Sequence, residues 1–164
     1  MAEHGRAIVN ASPLISLGRS GHLDLLRHFA AAVTVPSEVV EELAQGGGRD
    51  DVAHVVAAAS WVQVLPPVAV PAALRAHPAL GRGETAVIAN ALLDPSAVAV
   101  LDDRAARRAA LAMNLRVGGT LAVIAIAMRD GVIRAARPVV HAVLAAGSYV
   151  SPRVAAEFLA ALGE

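Results

Sequence analysis

Ala97-Val98-Ala99-Val100-Leu101-Asp102-Asp103-Arg104 is the stretch that decides the fold. Its five apolar residues run without polar alternation. That pattern predicts a strand buried on both faces, as in a parallel sheet covered by helices. Two acids follow the strand directly. Residues 84–93, introduced by Gly81-Arg82-Gly83-Glu84, and residues 104–113 read as the helices on either side.

The same rhythm extends outward. Ala7-Ile8-Val9, Ala32-Val33-Thr34-Val35, Trp61-Val62-Gln63-Val64-Leu65 and Leu115-Arg116-Val117 read as four more short strands. Between them, helices are predicted after Asn10-Ala11-Ser12-Pro13, over 22–29, from Pro36-Ser37-Glu38 to Gly46, from Asp50-Asp51 to about residue 59, and over 71–77. Ser12 and Pro13 suit the first turn of a helix, and Glu38 suits the positive end of the helix dipole. Further helices are expected over 121–129, from about 137 to 146, and over 151–162. Strands alternating with helices predict an α/β fold with a mainly parallel sheet and helices on both faces. The expected organisation is one domain over 1–164.

Composition removes several chemistries. Hydrophobic residues make up 56% of the 164 and charged residues only 17%, which excludes a disordered chain. Cys is absent, so thiolate metal sites, disulfides and Cys nucleophiles are excluded. All fourteen cationic residues are Arg, which excludes Schiff-base lysines and the lysine of a phosphate-binding loop. Net charge is zero, so contact with nucleic acid must come from local Arg clusters such as Arg104, Arg107 and Arg108. The six His are scattered without metal-ligand spacing. The apolar stretch 121–128 is too short for a membrane span, and no signal core follows Met1. A cytoplasmic chain with no membrane contact is expected. A mean hydropathy of +0.57 predicts exposed apolar surface and a homodimer.

The acids carry the chemistry. Residues at the carboxyl edge of a parallel sheet converge on one crevice. Asn10 follows the first strand, Glu41 and Glu42 lie one turn inside the helix after the second, Glu84 opens the helix leading into the strand 97–101, and Asp102 and Asp103 follow that strand. Clustered carboxylates repel one another unless they take up protons or a hard cation such as Mg2+ or Mn2+. Each acid also has a plain structural use. Asp102 and Asp103 cap a helix, Glu84 sits on a dipole, and the pair Glu41-Glu42 faces solvent.

The blocks Asn10-Ala11-Ser12-Pro13-Leu14-Ile15-Ser16-Leu17, Gly21-His22-Leu23-Asp24-Leu25-Leu26, Val35-Pro36-Ser37-Glu38-Val39-Val40-Glu41-Glu42-Leu43, Gly81-Arg82-Gly83-Glu84, Leu101-Asp102-Asp103-Arg104-Ala105-Ala106-Arg107 and Gly119-Thr120-Leu121 stand in this order. As an ordered set they resemble a prokaryotic PIN-like family of the domain-of-unknown-function type. The resemblance covers most of residues 7–135 and implies a three-layer α/β/α domain. It also implies a metal-dependent endoribonuclease that cuts single-stranded RNA, as the toxin of a toxin–antitoxin pair with a small antitoxin partner. Carried over by motif, Asn10, Glu42, Glu84 and Asp103 take the catalytic, metal-binding positions for Mg2+ or Mn2+. Asp102 is the adjacent metal candidate, Ser12 a supporting group, and Arg104 and Arg107 RNA contacts. Position 10 departs from the wider superfamily, which usually has Asp there. An Asn oxygen coordinates without charge, and this opens the alternative of a catalytically weak module that binds RNA or a protein.

Overall fold

The computed structural model describes residues 4–46 and 52–164. The chain runs through β1 (His4–Val9), α1 (Ala11–Arg19), a 3-10 turn (Leu23–Leu25), α2 (Leu26–Phe29), β2 (Ala30–Pro36), α3 (Ser37–Gln45), α4 (Val52–Ala58) and β3 (Val62–Leu65). It continues through α5 (Ala72–Arg75), α6 (Arg82–Leu93), β4 (Val98–Val100), α7 (Arg104–Ala112), β5 (Arg116–Gly118), α8 (Thr120–Arg129), α9 (Ala136–Ala145) and α10 (Pro152–Ala161). The predicted cap Asp50-Asp51 and the glycines 47–48 lie outside the described residues.

The five strands form one sheet in the order β3-β2-β1-β4-β5, and every pair is parallel. Parallel neighbours need a crossover, and the helices supply it. Helix α6 lies over β1, β2 and β4 and meets α7, while α1, α2, α8 and α9 pack on one another to form the other layer. The domain is therefore a three-layer α/β/α structure. Ala7, Ile8 and Val9 of β1 and Val98, Ala99 and Val100 of β4 are all buried, which is why these runs show no alternation. At roughly 25 cal/mol per Å2 of apolar surface, such doubly covered strands hold the layers together. Thr34, the polar residue of β2, is buried and donates its hydroxyl to the Ala7 carbonyl at 2.8 Å.

Several predicted elements differ in extent: β2 begins at Ala30 rather than Ala32, β5 runs one residue later than expected, and α5 is the single turn Ala72–Arg75. Strand β1 begins at His4 rather than Ala7, because His4 and Arg6 pair with Ala30 and Ala32 of β2 although their side chains are polar. The helix expected over 22–29 is a 3-10 turn followed by the single turn α2.

Strand order reverses between β1 and β4. Beyond the carboxyl ends of strands at such a switch point, open α/β sheets form a crevice. Val9 pairs with Val100 and Val100 with Gly118, so the residues leaving β1, β4 and β5 emerge level with one another.

Candidate active site

The site is built at that edge. Asn10 donates its backbone N–H to the Val100 carbonyl at 3.1 Å and stands at the N-cap of α1. Asn is a favoured capping residue, yet its side chain makes no cap hydrogen bond. The residue is 3% exposed, and its Oδ1 is buried with no hydrogen-bond partner among the described residues. A buried amide oxygen left unpaired in this way costs free energy unless something else occupies it.

Three carboxylates come from three separate elements. Glu42, on α3, accepts the Gly83 backbone N–H on Oε1 at 2.8 Å. Glu84 sits at the third position of α6, and its Oε2 accepts the Gly81 backbone N–H at 2.8 Å. Asp103 caps α7 by accepting the Ala106 N–H on Oδ1 at 2.9 Å. Each therefore has one oxygen held by a backbone donor. Glu84 also feels the other two. Burial raises the Glu84 carboxyl above its ordinary value, the Gly81 bond opposes that rise, and the charges of Asp103 and Glu42 add to it. Gly83 lets Glu42 approach. A Cβ built there would lie 2.5 Å from Glu42 Oε2 and 2.9 Å from its Cδ.

Asp102 is held differently. Its Oδ1 accepts the Thr120 N–H at 2.8 Å, and its Oδ2 accepts the Thr120 hydroxyl at 2.7 Å. It ties the end of β4 to the first turn of α8. Burial raises its pKa, while the two Thr120 bonds and the nearby Arg107 charge work against that rise. Arg107 turns inward and donates Nη1 to the carbonyls of Leu101 (2.8 Å) and Gly118 (2.7 Å). Glu41, exposed where Glu42 is half-buried, pairs with Arg82 at 2.5 Å on the surface.

Ser12, Asp102, Asp103, Arg104 and Arg107 line a cavity of about 560 Å3 between the starts of α7 and α8 and the segment joining α9 to α10, which Glu42 and Glu84 do not line. The motif reading thus gathers Glu42, Glu84 and Asp103 around one edge with Asn10 at the switch point, and sets Asp102 into the wall beside them. The other wall of the cavity, carrying Tyr149 and Arg153, was not singled out in the sequence. The one available signal was that Tyr149 is the chain's only Tyr.

The donor set suits a hard divalent cation in kind. It is all oxygen, with three carboxylates and one amide oxygen that has no hydrogen-bond partner among the described residues. As placed, the set is open. Among the described residues, no three His, Asp or Glu side chains stand close enough together to hold a metal ion unaided. Among the described residues, too, no helix is long and apolar enough to cross a membrane. A search of curated proteins finds no match. A family model described as a PIN domain matches residues 6–164.

Proposed function

The chain belongs to the PIN-domain family, and from that premise we propose that it is an endoribonuclease that hydrolyses phosphodiester bonds in single-stranded RNA with Mg2+ or Mn2+. PIN domains are nuclease-type folds that generally use divalent metals and bind RNA. The observation that carries the reading in this chain is the buried Asn10 Oδ1 at the switch point, with no hydrogen-bond partner among the described residues, together with Glu84, which feels the charges of Asp103 and Glu42.

These four residues would hold the ion, with Asp102 supporting them from behind. When bound, a divalent ion polarises a phosphoryl oxygen and lowers the pKa of a water. The chain's own groups do the rest. The backbone donors of Gly81, Gly83 and Ala106 fix the direction of each carboxylate while leaving its charge in place. Glu84, whose pKa is raised by burial and by the charges of Asp103 and Glu42 against the Gly81 hydrogen bond, takes up a proton more readily than an exposed Glu. Asp102, Thr120 and Arg107 keep the ends of β4, β5 and α8 together, so that Asp103 keeps its place.

Two finer readings extend this. The resemblance to toxin-like chains supports a cytoplasmic toxin restrained by a small antitoxin. A small reading frame beside the gene, whose product binds the purified chain, is the expected finding. The exposed Leu93, Leu111 and Val64 support a homodimer, and a monodisperse monomer in light scattering would overturn it.

The enzyme reading predicts cleavage of single-stranded RNA in Mn2+ that Asp103→Asn abolishes. No cleavage by the wild type, or equal cleavage by the variant, contradicts it. A second reading is favoured by the neutral Asn10: a catalytically weak module that binds RNA or protein. In that case wild-type Mn2+ affinity is low and Asn10→Asp raises it. Tight Mn2+ binding by the wild type with no gain in the variant excludes it.

A further inference from the structure

Resting on the RNA reading above, we infer that the cavity beside Asp103 is a nucleotide subsite. In it one base of the single strand stacks on Tyr149 and the adjoining phosphate meets Arg104. The cavity is within the size range of small-molecule sites, roughly 300–1,000 Å3. Its walls join the end of the acidic set, Asp103, to three arginines in a chain of zero net charge.

The arginines are not equivalent. Arg107 has Nη1 committed to two backbone carbonyls, and Arg153 lies 3.4 Å from Glu157 one turn on. Arg104 is exposed, has no such partner among the described residues, and follows Asp103 in sequence. It lines the cavity together with Asp102 and Asp103, and an exposed arginine there suits a phosphate oxygen.

Tyr149 is the second independent feature. The chain has only four aromatic residues besides His, and its one Tyr is 64% exposed at the rim of this cavity. No hydrogen bond fixes its hydroxyl among the described residues. The segment that carries it is held on both sides. The Ser148 hydroxyl accepts the Val150 N–H at 3.3 Å, and the Ser151 hydroxyl caps α10 by accepting the Val154 N–H at 3.3 Å. A ring presented from a tied-down turn loses little freedom on binding. Unpaired bases in single-stranded RNA offer the flat faces such a ring takes up, whereas bases in a duplex are already stacked. Leu121 and Val154, also on the wall, give the base an apolar floor. An aromatic platform beside a free arginine favours a single strand over a peptide segment.

The test is binding of a short fluorescein-labelled oligouridine to the full-length protein in EDTA, followed by fluorescence anisotropy. Tyr149→Ala should weaken binding about 5- to 100-fold, the range for one lost base stack, and Tyr149→Phe should keep it. Arg104→Ala should lower the slope of log affinity against log salt by about 0.7, the loss of one phosphate contact. Because no cleavage occurs in EDTA, the outcomes separate. A protein that cuts nothing in Mn2+ yet binds oligouridine through Tyr149 loses the nuclease reading and keeps the subsite. A protein that cuts RNA while Tyr149→Ala binds like wild type keeps the nuclease and loses the subsite. Absence of oligouridine binding at micromolar protein and low salt overturns the subsite and leaves this face to a protein partner.

Discussion

Asp102 and Asp103 are neighbours in the chain and have opposite fates. Asp102 turns into the protein, gives both oxygens to Thr120 and lies beside the inward Arg107. Asp103 stays exposed, holds the start of α7 with one oxygen, and adds its charge to that of Glu84. Consecutive residues leaving a strand point to opposite sides. One acid therefore braces the sheet edge and the other faces the crevice. Glu41 and Glu42 repeat the lesson on a helix, where successive residues diverge. Glu41 pairs with Arg82 outside, and Glu42 reaches Gly83 inside.

The largest effect should come from breaking the brace. Asp102→Ala leaves the Thr120 N–H and hydroxyl without acceptors and Arg107 without its counter-charge. It should cost about 3 kcal/mol. In a thermal melt that is a fall of roughly 6–12 °C. Asp103→Ala removes only a cap and should cost about 1 kcal/mol. Equal losses would erase the distinction.

Two glycines sharpen the same contrast. A Cβ on Gly119 would meet Arg107 Nη1 at 2.8 Å, Asp102 Oδ1 at 2.9 Å and the Leu101 carbonyl oxygen at 2.9 Å. Part of that wall is backbone and the rest is a bonded network, so Gly119→Ala should cost about 1–3 kcal/mol. A Cβ on Gly83 would meet only the end of the Glu42 side chain, which can swing away. Gly83→Ala also gains helix propensity of about 0.5–1 kcal/mol. It should fold at least as well as the wild type while losing Glu42 from the acidic set. The expected signature is an unchanged melt in EDTA with a weakened response to Mn2+.

Much of this was legible in the sequence. The unalternating run 97–101 announced a strand buried on both faces, and the acids that follow it marked the carboxyl end of the sheet as the candidate site. How Asp102 is held was not legible. That depends on Thr120, which lies eighteen positions on and reaches Asp102 only because β4 and β5 pair in register. The meeting of Glu42 with Gly83 was hidden for the same reason, since α3 and α6 touch only once the sheet has formed. Strand order was also hidden, because periodicity marks strands without saying which ones pair. The polar start of β1 gave no strand signal, although its backbone pairs with β2 as regularly as the rest.

A smaller effect concerns protons. The folded pKa of Glu84 lies above its ordinary value of 4.5, so the fold favours the neutral form. That contribution is fully present below the unfolded pKa and is lost as pH rises through the folded one. Glu84→Gln stays neutral at all pH and retains an oxygen for the Gly81 N–H. In EDTA it should match or exceed the wild type at pH near 8 by about 0.5 kcal/mol at most. Its stability should also fall less between pH near 5 and pH near 8. A variant less stable than wild type at both pH values would mark Glu84 as a cap alone.

The central claim is that Glu42, Glu84 and Asp103, with Asn10, hold a divalent ion. The most direct measurement is the melting temperature with and without Mn2+ for the wild type, Gly83→Ala and Glu84→Gln, at pH near 8 and near 5. A ligand that binds the folded state stabilises it by mass action, and protons compete for carboxylate ligands at the lower pH. The account predicts that Mn2+ raises the wild-type melt, more at pH near 8 than at pH near 5, and that both variants lose most of that rise. A wild-type melt that ignores Mn2+ at pH near 8, or variants that respond as fully as the wild type, would contradict it.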